Sequence, residues 1–434
     1  MRSSLIVIAL IIVFASCTKS TTNEKTKPSS TLSTSVSSSV SSNIDQPVTA
    51  DGLKQAAMSA NTNTISSTAF NSVCPLSVDP SQNNPKCLYY RDQNNIYQLC
   101  FPLREKKLVF SFEKEKVPSD KIKEPFEVAA GHVMWKSGED LYVWDGTKAF
   151  LIADSGFITS FLFSPNGQCL VWNANWRAGF PVIDEGRFSD SENKENSVFI
   201  SKTGSQDRIE VYRQTYRVDH LGSDNREDKQ LVAWSAIMPS TLYLTTKVER
   251  QLYSGHTGIY VVDFASGTET ILNGEIEEFL AMSSDERKIA YTPNDKTCCG
   301  GSNYTNNTVI IWNAVSKKSA SVYDEWKEFG NQGKEDEYVP DTAVFSPDGN
   351  LIAISIVGNK YFTTIRKVDG GGNILTVADR FAVGWLDQDT LILGKRSKAD
   401  YRQRYKVQDM YIYKLKSGKE EPLSLNNVTY LAFK

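Results

Sequence analysis

Seven cysteines, three histidines and one cluster of carboxylates are the side chains of this sequence whose types could support covalent, metal or acid–base chemistry. Cys87 and Cys100 flank the turn RDQNN on what read as neighbouring strands and fall nearly opposite each other. A bridge between them, or from Cys74 to either one, would staple that hairpin; which pairing forms cannot be deduced from spacing. Cys169 begins an apolar strand and reads as a buried thiol. In Cys298-Cys299-Gly300-Gly301 the adjacent cysteines can close a strained vicinal disulfide whose distorted backbone the glycines tolerate; two separate bridges, or one bridge and a free thiol, are the alternatives. The histidines His132, His220 and His256 form no close ligand pair, so no metal and no other cofactor is expected. Asp184, Glu185, Asp190 and Glu192 lie in one polar stretch, which suits either a glycosidase carboxylate pair or plain solvated charge. No G-x-S-x-G elbow is present, so a fused serine hydrolase is not expected.

What would position such residues is a repeat. FSPNGQCLVW starts at Phe163 and FSPDGNLIAI at Phe345. In the second, Pro347 is preset for the second position of a type I turn, Asp348 suits the third, and Gly349 takes the left-handed conformation that closes a three-residue hairpin. Degenerate copies of the entering strand end at Trp234, Met282, Trp385 and Phe433. Second strands (CLVW, LYL, IAY, IAI, LIL), aromatic or β-branched third strands (SVFIS, GIYVVD, VIIWN, TTIRKVD, MYIYK) and short fourth strands (TETIL, NILTV, PLSL) follow. Four antiparallel strands recurring every 40 to 70 residues or so make one propeller blade. Upstream, 127–154 gives a complete blade and 87–112 the second to fourth strands of another, while VTYLAFK at the C-terminus is an isolated first strand. The expectation is an all-β, seven-bladed β-propeller closed by the C-terminal strand, with six blades as the alternative.

These hairpins, each followed by an apolar and then an aromatic-rich strand, resemble the TolB-like, WD-repeat-related β-propellers of bacteria over roughly Cys87 to Lys434. The resemblance implies a fold. The wider group includes protein-binding scaffolds, glycan lyases and the propeller halves of peptidases, so it implies no single activity.

The N-terminus, MRSSLIVIALIIVFASC, has a positive start, an apolar run too short to span a bilayer, and small residues before Cys17. Phe-Ala-Ser-Cys resembles the lipobox of bacterial lipoproteins, with Phe14 where Leu is usual, and implies that Cys17 becomes an acylated, palmitate-bearing first residue. A conventional signal with an incidental cysteine is the other reading. Residues 18 to about 65 are rich in Ser, Thr and Asn and too poor in apolar surface to offset their ordering entropy. The expected organisation is a signal peptide over 1–16, a disordered tether from Cys17 over 17–73 and a propeller over 74–434, with the tether reaching roughly 35 to 40 Å. The expected location is the bacterial cell envelope, facing the periplasm or the cell surface. A net charge of −3 without a basic stripe argues against a nucleic-acid partner.

Turns between first and second and between third and fourth strands share one face of a propeller; second-to-third loops and blade crossings share the other. All the first set are tight. The second set carries the long segments 173–196, 247–257, 293–307 and 395–408, with the crossings 213–229 and 324–340. Functional elaboration concentrates on such loops. Their aromatic and basic residues make the candidate ligand surface: Trp176, Arg177, Tyr216, His220, Tyr253, His256, Trp326, Arg402 and Tyr405. The bland reading of each aromatic is a small core beneath a loop. Two functions follow: a non-enzymatic module binding an envelope protein or glycan, and alternatively a polysaccharide-acting lyase or glycosidase.

Overall fold

A computed structural model of the chain describes residues 74, 85–115, 117, 123–153, 157–177, 193–217, 227–250, 253–273, 276–293, 307–329, 338–358, 360–396 and 406–434. The signal and tether expected over 1–73 lie outside them.

The repeated turns behave as their residues dictate. Gly167 and Gly349 sit at φ 70° and 66°, and the Gly349 amide donates to the Ser346 carbonyl at 2.8 Å as a closed turn requires. Ser346 Oγ donates to Asp348 Oδ1 at 2.6 Å, and the Asn350 amide donates to the same oxygen at 3.0 Å. Burial alone would raise the Asp348 pKa, but these hydrogen bonds outweigh it and hold the carboxyl below its ordinary value. The turn 283–287 has no glycine, and Glu286 takes the left-handed position at φ 55°. Its carboxylate accepts from Ser235 Oγ at 2.7 Å, the Ala236 amide at 2.6 Å and the Tyr243 hydroxyl at 2.9 Å, all in the preceding blade. Those bonds offset the backbone cost that a non-glycine residue meets there.

Seven antiparallel sheets result, so the chain is a seven-bladed β-propeller and the six-bladed alternative falls. Blades 2 to 7 are four-stranded and follow one another along the chain over 123–153, 157–217, 227–273, 276–324, 339–378 and 381–422. Blade 1 takes Val428–Phe433, Cys87–Asp92, Asn95–Cys100 and Glu105–Ser111, with Lys406–Val407 as a fifth strand beside Val428–Phe433. Leu88 pairs with Phe433 and Arg91 with Thr429.

Side-chain alternation explains the stacking. Along Leu351–Val357, Ile352 and Ile354 pack toward blade 5 while Ala353 packs toward blade 7. Seven apolar clusters among the described residues each join two consecutive blades, the cluster of Leu88, Tyr90, Phe381, Val383 and Ile392 joining blades 7 and 1. At that seam Gly384 has no room for a side chain, because a Cβ there would lie 2.1 Å from the Phe433 ring. On the tight-turn face the blades are also linked by polar bonds: Lys288 Nζ donates to the Gly349 carbonyl at 2.7 Å, and Lys86 Nζ to those of Trp385 and Leu386 at 2.8 and 2.9 Å.

Cys87 and Cys100 are directly paired and bonded. Cys169 is not a free thiol: it is bonded to Cys74, fully buried in the cluster between blades 3 and 4.

Candidate functional site

Several segments expected as loops are strand. In blade 3 the ladder between Cys169–Arg177 and Asn193–Lys202 continues to Arg177 opposite Lys194, and Arg208–Arg217 pairs alongside as far as Arg217 opposite Asn193. In blade 4 the ladder between Thr241–Arg250 and Tyr253–Asp263 runs to Arg250 opposite Tyr253, and Glu227–Trp234 begins opposite Val248. Backbone pairing does not need apolar side chains, so polar sequence such as RQTYR and TKVER extends the sheets. Blades 3 and 4 thus stand tall on the crossover face.

Most of the expected ligand residues that fall among the described residues are carried by these ladders. Arg177, Lys194 and Tyr216 form one register row across blade 3, and Trp176 pairs with Glu195. His256 pairs with Lys247 and Tyr253 with Arg250 in blade 4. Trp326 lies apart, on the short helix Glu325–Phe329 that leads from blade 5 to blade 6. His220, Arg402 and Tyr405 lie outside the described residues, as do Cys17, the Cys298-Cys299 pair and the carboxylates at 184, 185, 190 and 192. His132 is half-buried between blades 2 and 3 with its ring 6.1 Å from that of Phe163, and burial pushes its pKa down. It belongs to the wall of a core.

Below the tall ladders a buried polar group locks blade 3 to blade 4. Lys229, 2% exposed, donates to the Tyr212 hydroxyl and to Glu269 Oε1, each at 2.6 Å. Its carbonyl accepts from Asn196 Nδ2 at 3.1 Å and from Asn173 Nδ2. Arg396 and Asp341 make the matching link between blades 7 and 6 at 2.8 Å, and Tyr361 joins it by donating to the Arg396 carbonyl at 2.8 Å. Buried charge needs such pairing, so these residues read as framework that fixes the crossover face.

Where the helix meets blade 6 the crossover face opens into a cleft of 670 Å³. Tyr323 comes from the last strand of blade 5, Glu328 and Phe329 from the helix, Tyr338 from the crossing, and Phe362 and Arg366 from the third strand of blade 6. Three rings form one wall: Phe329 and Tyr338 centroids are 4.9 Å apart, Tyr338 and Phe362 5.8 Å, and Phe329 and Phe362 meet edge to face at 6.0 Å. Arg366 crosses the blade interface. Its Nη1 donates to the Val322 carbonyl at 2.9 Å and pairs with Glu328 at 2.9 Å, its Nε donates to Thr364 Oγ1 at 3.0 Å, and its guanidinium lies 5.3 Å from the Tyr323 ring centre. The helix is anchored by Glu325, which accepts from the Tyr338 amide at 2.7 Å and from Asn307 Nδ2. Burial raises the Tyr323 pKa and Glu325 adds to this, with Arg366 opposing, so the phenol keeps its proton and remains a donor.

Of the residues that line this cleft, Phe329 and Tyr338 lie in the crossing 324–340 that sequence reasoning assigned to this face, and none of Tyr323, Tyr338, Phe362 and Arg366 was singled out. One signal was available: in TTIRKVD, Arg366 occupies a core-facing position of an otherwise apolar alternation, and a cation there must have a partner.

No family model matches the sequence, and no curated protein does. Solved structures do match. A prolyl endopeptidase superposes with a TM-score of 0.51 at 10% identity over 81% of this chain and 49% of that one, so the chain spans about half of its length. An acylaminoacyl peptidase of Pyrococcus horikoshii gives 0.43 at 11% identity over 78% of this chain and 52% of that one. A structure described as TolB from Agrobacterium tumefaciens gives 0.36 at 13% identity, covering 80% and 91%. At such identities the likeness shows the β-propeller architecture alone, and that architecture hosts many activities.

Proposed function

We propose that the protein is a lipid-anchored, non-enzymatic binding module of the bacterial cell envelope that engages a protein partner through its crossover face. The observation that carries this reading is the cleft, where three aromatic rings and a buried arginine, the side-chain types that dominate binding hot spots, meet at the rim of the elaborated face. Two disulfides suit an oxidising compartment. In this reading Cys17 carries the acyl chains, residues 18–73 give the propeller its reach, and Val428–Phe433 closes the ring as a strand of blade 1, so that neither the first nor the last blade is left with an uncovered face.

Cross-linking in intact cells followed by fractionation tests both halves of the proposal. Cys17→Ser is expected to abolish palmitate labelling and release the chain from the membrane fraction. Trp176→Ala, Tyr253→Ala and Trp326→Ala together are expected to remove the cross-linked partner while melting stays unchanged. A partner retained by the folded triple variant would contradict the assignment of the face.

A further inference from the structure

At the floor of the blade 5–6 cleft the protein leaves polar hydrogen-bonding capacity unused. Tyr323 is 1% exposed, and its hydroxyl has no hydrogen-bond partner among the described residues. Arg366 is 5% exposed; Nε and Nη1 are taken by Thr364, Val322 and Glu328, and no described group takes Nη2. A buried hydroxyl without an acceptor is costly, so an occupant that brings an acceptor to Tyr323 restores what folding gave up, and a second acceptor can meet Arg366 Nη2 beside it. Above them Phe329, 38% exposed, offers a ring at the mouth of the aromatic wall.

Charge narrows the chemistry. Around the cleft Glu328 and Asp379 balance Lys360 and Arg366, so a phosphate or another strongly charged group finds no net field to hold it. Shape narrows it further. Thr376 and Ala378 extend the wall along Asn373–Ala378, the outermost strand of blade 6, whose outer edge pairs with no described strand. A neutral chain with carbonyl acceptors at regular spacing matches unused donors beside a strand edge. The volume lies within the range of about 300 to 1,000 Å³ usual for ligand sites.

We propose that this cleft takes an extended, uncharged peptide segment with an aromatic side chain, the ring packing on Phe329 and Phe362 while backbone carbonyls accept from Tyr323 Oη and Arg366 Nη2. The proposal deepens, and rests on, the reading of the crossover face as protein-binding.

Random peptides displayed on phage are selected on the full chain, and selected peptides are titrated against wild type, Phe329→Ala, Tyr323→Phe and the Trp176, Tyr253 and Trp326 triple variant. The expected peptides share an aromatic residue and bind with little salt dependence. Phe329→Ala weakens them about tenfold or more. Tyr323→Phe, which removes only an oxygen, weakens them about threefold to tenfold with unchanged melting. Peptides that bind Phe329→Ala and Tyr323→Phe as tightly as wild type but are lost by the triple variant would overturn the cleft while sparing the face. Peptides that bind every variant equally would overturn both. Failure to select any peptide, with glycan-array binding abolished by Phe329→Ala, would assign the cleft to a sugar and overturn the peptide proposal.

Discussion

Replacing Cys169 with serine is expected to lower the unfolding free energy by about 4 kcal/mol, because the Cys74–Cys169 bond closes a loop with a sequence separation of 95 and loop-closure entropy grows with length. Cys74 is also fully buried among Val171, Val198, Trp234 and Leu244, so freeing it removes its apolar contacts from the interface of blades 3 and 4. The Cys87–Cys100 bond closes a separation of only 13, and Cys87→Ser is expected to cost less, about 3 kcal/mol. Denaturant unfolding of the two variants checks the order. An equal cost, or thiol titration of the unreduced, unfolded chain that finds Cys169 free, would remove the basis of the argument.

Asp341→Ala should be comparably severe. Its carboxylate meets Arg396 at 2.8 Å with side chains 9% and 2% exposed, so the substitution removes a counter-charge from a buried guanidinium, at a cost of about 3 to 5 kcal/mol. Replacing both residues together, Asp341→Leu with Arg396→Met, is expected to recover most of that loss, because the desolvation of the charges is removed along with their attraction. The pair between Arg104 and Glu421 is 40% and 43% exposed; Glu421→Ala is expected to leave the melt close to that of the wild type. Thermal and denaturant melts of these variants separate the cases. A small effect of Asp341→Ala would show that water reaches Arg396 and that the link between blades 6 and 7 is not a dry one.

The tight turns were legible in the sequence because Ser-Pro-Asp-Gly encodes its own backbone angles within a few residues. The turn at 283–287 was harder to recognise, since Glu286 takes the glycine position and its support comes from Ser235 and Tyr243 in another blade. The tall ladders of blades 3 and 4 were read as loops because apolar alternation reports a buried face, not pairing, and the sequence of their outer ends is polar. Cys169 was correctly placed in a core, but its partner is distant in the chain and no local pattern names it. The cleft was the least legible part. Tyr323, Phe329, Tyr338 and Arg366 come from four separate segments, and only the docking of blade 6 on blade 5 makes them neighbours. Which face a loop joins is legible in the sequence because it follows from strand order, whereas which side chains become neighbours there follows from packing.

Hydrogen exchange of the full chain with and without its cross-linked partner tests the central claim, that the crossover face is where the molecule works. The expected result is added protection at the helix Glu325–Phe329, at the start of Tyr361–Lys367 and at the outer ends of the blade 3 and 4 ladders, with the turns at 164–167, 283–287 and 346–349 unchanged. Protection confined to those turns would put the partner on the opposite face and contradict the account.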